Sequence, residues 1–225
     1  MSVYIMMALS FLPLVILLGF FCFAIPGFKF HYGLVATLVG LFSLIPIVII
    51  QHFVLKLPVF TDNTLISALI TVMVFNGLIE ETVKMFSLLI LPHKKLNFAT
   101  FFSLSIIAGL ALGCFETVIY LFSGHHNVEV RTVTAVAMHS LCCGLSGIYV
   151  WTWRNPVEKA SGKVAPMVAP FVWATVLHGV YNFFAGFSTS FWWFSIAAIA
   201  LTALECRIWY RKALGLDGAT GANPQ

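Results

Sequence analysis

The chain has 225 residues, of which 60% are hydrophobic and 9% charged, with a formal net charge of +4. A soluble globular domain carries about one quarter charged residues, so these figures leave no room for a solvated surface. They equally exclude a collagen-like, a disordered or a small disulfide-stapled protein. What remains is an all-α, polytopic membrane protein with its outer surface in lipid, because backbone polar groups in a bilayer must be satisfied within each helix. The mean hydropathy of +0.99 agrees. The excess of positive charge sits at the ends of apolar runs, which is a topology signal, and no nucleic-acid partner is expected.

A membrane-crossing helix needs roughly 20 mostly apolar residues. Seven such stretches are predicted, over residues 3–25, 32–54, 64–91, 99–123, 130–153, 164–187 and 190–210. The first is read as a retained helix, since no basic residue precedes it and no small-residue cleavage pattern follows. With the N-terminus outside, the cytoplasmic connections hold Lys29, Lys94, Lys95, Arg154, Lys159, Lys163, Arg207, Arg211 and Lys212. The outer connections hold only Lys56 and Arg131, and Lys84 lies within a span. The positive-inside rule then places the N-terminus outside and the C-terminus in the cytoplasm. The expected organisation is one transmembrane helical domain over residues 1–214, with a catalytic core over 64–187 and a disordered tail over 215–225. The five cysteines lie in apolar runs and are read as small packing residues.

Polar residues inside spans carry the functional signal, because a charge at mid-bilayer costs from about 2.5 kcal/mol upward and needs a partner. The third span holds Asn76, Glu80, Glu81 and Lys84. Asn76, Glu80 and Lys84 recur every four residues and share a face, whereas Glu81 points roughly 100° away. The spacing predicts a Glu80–Lys84 pair, with Glu81 left to find a partner across the bundle. Adjacent carboxylates beside a lysine invite divergent proton affinities, which lets one site supply both an acid and a base.

In the fourth span Gly109 and Gly113 make a ridge of small residues that admits a neighbouring helix, with Glu116 and Tyr120 on the same broad face. In the fifth, His139 shares helical spacings with Cys143, Ser146 and Gly147; in the sixth, His178 and Asn182 are one turn apart. Glu116, His139 and His178 fall at similar depths below the outer surface, which is compatible with one polar cavity. Three carboxylates, two imidazoles and an amide on four helices suit peptide hydrolysis. That reaction needs an activated water, a proton for the departing amine and donors for the oxyanion. There is no serine-nucleophile sequence, no HExxH pair and no GxGD-type aspartate.

Glu80-Glu81-Thr82-Val83-Lys84, Gly113-Cys114-Phe115-Glu116 with Tyr120, His139, and His178-Gly179-Val180-Tyr181-Asn182-Phe183 resemble the ordered motifs of PrsW-type glutamic intramembrane proteases. Those enzymes are relatives of the CAAX prenyl proteases. The resemblance covers about Asn76 to Phe183 and implies a membrane-embedded endopeptidase that uses a Glu-activated water. It also implies a membrane-anchored protein or peptide as substrate, such as an anti-sigma-factor-like regulator, in the plasma membrane of a prokaryote. Under it, Glu80 and Glu81 belong to the catalytic carboxylate motif, and His178 with Asn182 to the oxyanion motif. The CAAX group ends its second motif in His, where this chain has Glu116, which argues against a prenylated substrate and leaves Glu116 and His139 both open as the partner of Glu80. Asn76, Lys84 and Tyr120 are expected to support the set. No cofactor is expected, since no helix carries ligand-type spacing, although Glu and His are competent zinc ligands. Two other classes fit the composition. One is a non-catalytic scaffold of the same superfamily, akin to the anterior-pharynx-defective subunit of the presenilin complex, which is expected to lack the paired Glu. The other is a proton- or cation-coupled transporter, which predicts broken helices or an inverted repeat.

Overall fold

A computed structural model describes residues 3–219 apart from 55, 58–63, 95, 124–127, 157, 160–161, 164 and 188–190. The described chain is helical apart from loops and one antiparallel pair of two-residue strands, β1 (Glu158–Lys159) and β2 (Gly162–Lys163), between the seventh and eighth helices. The helices are α1 (Val3–Ser10), α2 (Leu12–Ala24), α3 (Phe30–Val54), α4 (Leu65–Val72), α5 (Glu80–Leu88), α6 (Phe98–Ser123), α7 (Val128–Arg154), α8 (Ala169–Phe187) and α9 (Trp193–Ala219). A π-helical segment, Met73–Ile79, joins α4 to α5 without a break in the rod.

Five rods are long and apolar enough to cross a membrane: Tyr4–Ala24, Phe30–Val54, Leu65–Leu88, Phe98–Phe122 and Val133–Arg154. The protein is therefore an integral membrane protein. α8 and α9 complete seven rods but fall outside that group of five. α8 carries His178 and Asn182, and α9 carries Glu205, Arg207, Arg211 and Lys212, which dilute their apolar character.

The helices depart from the expected spans in four places, each with a local cause. The α-helical hydrogen-bonding of the first span is interrupted at Phe11, where α1 ends and α2 begins, because Pro13 has no N–H to continue the ladder. The third is not uniformly α-helical but carries the π segment. The sixth begins at Ala169 rather than residue 164, with Pro166 ahead of it and Pro170 in its first turn. The expected disordered tail from residue 215 is corrected as far as Ala219, since α9 continues through Gly215 to that point; residues 220–225 lie outside those described.

α6 and α7 form the centre of the bundle and are mostly buried, whereas α2 and α3 present most of their surface outward. Phe98, Phe101, Leu104, Ile107, Met138 and Leu145 fill the core between them. Gly109 and Gly113 make this closeness possible, as their spacing predicts. A methyl group added at Gly113 would lie 2.9 Å from the Val136 Cα and 3.3 Å from the His139 ring. Gly113→Ala is therefore expected to force α7 outward and to lower thermal stability by about 1–3 kcal/mol, measured by melting in detergent.

Side chains tie the loops at one end of the bundle. Asn97 caps α6 by accepting from Thr100 N at 2.8 Å, and its amide donates to Pro26 O at 3.4 Å. The turn it holds needs Gly27, whose φ of 83° is disfavoured for residues with a Cβ. Arg154 at the end of α7 donates to Leu89 O at 2.6 Å and so satisfies a carbonyl that α5 leaves open. This fastens the C-terminal end of α5 to α7, the helices that carry Glu80, Glu81 and His139.

Candidate active site

The π segment sets the phase of α5. Each residue in it sits under an i→i+5 bond, and such bulges are frequent at functional sites. It lies hard against α8: a methyl at Gly77 would fall 2.6 Å from Thr175 O, and one at Gly179 would fall 3.1 Å from the Met73 Cα. These two glycines let the rod carrying Glu80 and Glu81 approach the helix carrying His178.

Glu81 and His178 are fully buried, and Glu80, Lys84 and His139 nearly so. Glu81 Oε1 accepts from Lys84 Nζ at 2.7 Å and from His178 Nδ1 at 2.7 Å, and its Oε2 accepts from Ser146 Oγ at 3.3 Å. The expected Glu80–Lys84 ion pair forms, but as the looser of two. Lys84 binds Glu81, three residues back, and holds Glu80 Oε2 only at 3.8 Å. Lys84 Nζ also donates to His139 Nδ1 on α7 at 2.8 Å, a ring nitrogen that lies 4.0 Å from Glu80 Oε2. Glu81 also finds its expected partner across the bundle, in His178.

Hydrogen-bond chemistry fixes both imidazoles. An ammonium has no lone pair, so His139 Nδ1 must accept from Lys84, and its Nε2–H donates to Glu116. Glu116 is held in turn by the Tyr120 hydroxyl, which donates to its Oε1 at 2.6 Å. His178 Nδ1–H donates to Glu81, so in the neutral ring Nε2 carries a lone pair; that atom is buried and has no hydrogen-bond partner among the described residues. The two rings meet edge to face with centroids 4.8 Å apart.

Glu80 is held by one oxygen. Its Oε1 accepts from Asn76 Nδ2 at 2.8 Å and from Gln51 Nε2 at 3.2 Å. Its Oε2 faces Lys84 Nζ at 3.8 Å, His178 Nε2 at 3.9 Å and His139 Nδ1 at 4.0 Å, all beyond hydrogen-bond reach. One carboxylate oxygen is anchored and the other points into a space lined by three nitrogens.

The structure therefore brings Glu80, Glu81, Lys84, Glu116, His139 and His178 into one cluster, with Asn76 and Tyr120 bracing two of the carboxylates. Asn182 lies one turn along α8, and its amide approaches His178 O at 3.4 Å. Gln51 was missed by sequence reasoning. Its signal was an amide in an otherwise apolar run, in a span that contributes none of the other polar groups.

A metal ion could be held by Glu80, His139 and His178, whose candidate ligand atoms lie within 4.8 Å of one another. Two imidazoles and a carboxylate are the donor set of many catalytic zinc sites, and the orphaned His178 Nε2 fits a ligand role. Lys84 stands against it, because its ammonium occupies His139 Nδ1 and would face the ion.

In comparison with known families, residues 30–204 match the family described as PrsW family intramembrane metalloprotease. No curated protein and no solved structure matches the chain.

Proposed function

The chain belongs to the PrsW family of intramembrane metalloproteases, and from that premise we propose that it cleaves a membrane-anchored protein or peptide with a water activated by Glu80. The observation that carries this reading is the half-anchored carboxylate. Glu80 Oε2 and the lone pair of His178 Nε2 face each other across 3.9 Å, a gap that a water can bridge as a donor to both.

In this reading Glu80 takes a proton from the water as its oxygen attacks the scissile carbonyl carbon. The tetrahedral intermediate collapses when Glu80 returns that proton to the amide nitrogen, and the C–N bond breaks to give a carboxylic acid and an amine. His178 orients the water through Nε2 in the tautomer that Glu81 holds. That tautomer assigns the oxyanion to other donors, the Lys84 ammonium and the Asn182 amide, and makes His178 an acceptor. Between the two candidates for the partner of Glu80, the distances favour His139, with Glu116 and Tyr120 holding its ring from behind.

The family description favours a second reading, in which Glu80, His139 and His178 hold a metal ion. Such an ion would lower the proton affinity of a bound water and polarise the scissile carbonyl. Lys84 favours the first reading: at 2.8 Å from His139 Nδ1 and 3.8 Å from Glu80 Oε2, it already supplies a cation there.

The seven-span arrangement with the N-terminus outside, the location in a prokaryotic plasma membrane and a single-span regulator as substrate belong to this proposal. They are supported by the distribution of Lys and Arg and by the sequence resemblance. The test is to express wild type and Glu80→Gln in matched membranes with a panel of tagged single-span proteins and to identify fragments by mass spectrometry. Fragments made only by wild type are expected; identical fragment sets would overturn the reading. Cleavage should continue in the presence of chelators. Its loss on chelation, with recovery on adding zinc, would transfer the assignment to the metal-bearing form.

A further inference from the structure

We propose that Gln51, on α3, is a positioning residue for Glu80: its amide sets which carboxylate oxygen is presented to the reacting water. The proposal rests on the reading of the site given above.

Gln51 follows Pro46 in the outer half of α3, among Val48, Ile49, Ile50 and Phe53, which are exposed on the lipid side. An amide in such a stretch is costly unless both its N–H groups are bonded. Gln51 Nε2 donates to Glu80 Oε1 at 3.2 Å and to Phe75 O at 3.3 Å. Both acceptors require the NH₂ end of the amide, so its orientation is fixed by chemistry. The two bonds have different targets. One grips the carboxylate, and the other grips the π segment that carries it, at the carbonyl that also accepts the Glu80 backbone N–H.

Asn76 binds the same Oε1, but it belongs to the same rod as Glu80 and moves with it. Gln51 comes from α3, so it alone among these donors ties the carboxylate to a separate helix. With Oε1 occupied twice, rotation about the Glu80 side chain is blocked and Oε2 stays aimed at His139 and His178. Without the α3 donor, either oxygen could turn toward the nitrogens, and the aligned fraction would fall. A misplacement of about 1 Å at a reacting atom costs on the order of 10²-fold in rate.

The experiment uses the full chain in proteoliposomes, with a tagged single-span protein that wild type trims and Glu80→Gln does not. Gln51→Met keeps the length of the side chain and removes the donors; Gln51→Leu removes them with a shorter apolar side chain. Both should lower kcat by about 10–10²-fold, with KM within a factor of two of wild type and a melting profile that remains cooperative. A purely structural role would instead lower the melting temperature and leave kcat per folded molecule unchanged. Wild-type kcat in either variant would overturn the proposal. A panel in which wild type and Glu80→Gln give the same fragments would overturn the reading of the site, and this inference with it.

Discussion

Glu80→Gln is expected to lower peptide hydrolysis by about 10²–10⁴-fold while leaving the protein as stable as wild type or slightly more so. The substitution keeps the shape of the side chain, and its remaining carbonyl oxygen can still accept from Asn76 and Gln51 at the positions they occupy. What is lost is the carboxylate oxygen facing His139 and His178, and with it the group that takes and returns the proton. Stability should not fall, because the cluster holds three carboxylates, Glu80, Glu81 and Glu116, against the single ammonium of Lys84. Removing one negative charge from a buried, over-negative cluster relieves repulsion. Rate and stability therefore move independently in this variant. Single-turnover cleavage in proteoliposomes, with thermal melting of the same preparation, checks both. A variant that melts early and cleaves normally per folded molecule would show that Glu80 is structural.

At Lys84 the fold itself is expected to suffer. Lys84→Met should destabilise the fold by about 3–5 kcal/mol, because it leaves Glu81 fully buried without its counter-charge. Lys84 is 2.7 Å from Glu81 Oε1 and 2.8 Å from His139 Nδ1, so its loss also frees the imidazole that Glu116 holds from the other side. Glu81 would retain only Ser146 and His178. Adding Glu81→Gln to Lys84→Met removes the unpaired charge and should recover a large part of the stability. A double-mutant cycle by thermal melting reads this as a coupling energy well above the ~0.5 kcal/mol seen between independent sites. Additive effects would mean that the pair is not the contact that stabilises this part of the bundle. The same cycle run on Glu80 and Lys84 should give a smaller coupling, since that pair is separated by 3.8 Å.

The π segment bears on the transporter alternative, which predicts interrupted helices. The interruption at Met73–Ile79 does not open the rod or expose a cavity-lining stretch of backbone. The Phe75 carbonyl within it is bonded by Glu80 N–H and by Gln51, and Gly77 is closed against Thr175. It works as a phase adjustment that turns Glu80 toward Gln51 on α3 and Glu81 toward Ser146 on α7 and His178 on α8. That use fits a fixed reaction centre better than a moving gate.

Most of the helical layout was legible because lipid leaves a chain little choice. A run of apolar residues about 20 long has to be a helix, and any Glu, Lys or His within it has to meet a partner. That argument alone selected Glu80, Glu81, Lys84, Glu116, His139 and His178, and the ridge of Gly109 and Gly113 indicated that some helix comes close to α6 there. The boundaries were less legible where Pro13, Pro166 and Pro170 act, since hydropathy does not register a missing N–H.

Three things were decided only by tertiary structure. That Lys84 lies closer to Glu81 than to Glu80 was decided by packing, because spacings of three and four residues along one helix are equally available to a lysine. The roles of the two imidazoles followed from their neighbours, since the sequence carries no information on which ring nitrogen holds the proton until Lys84 and Glu81 lie against them. Gln51 entered the site because α3 crosses α5 at the level of the π segment, a relation between residues far apart in the chain that no local periodicity records. Composition and apolar spacing thus determined the solvent, the helices and the list of reactive groups. The packing of α3, α7 and α8 around one short rod decided which atom of each group faces which, because hydrogen-bond direction depends on three-dimensional neighbours and not on order along the chain.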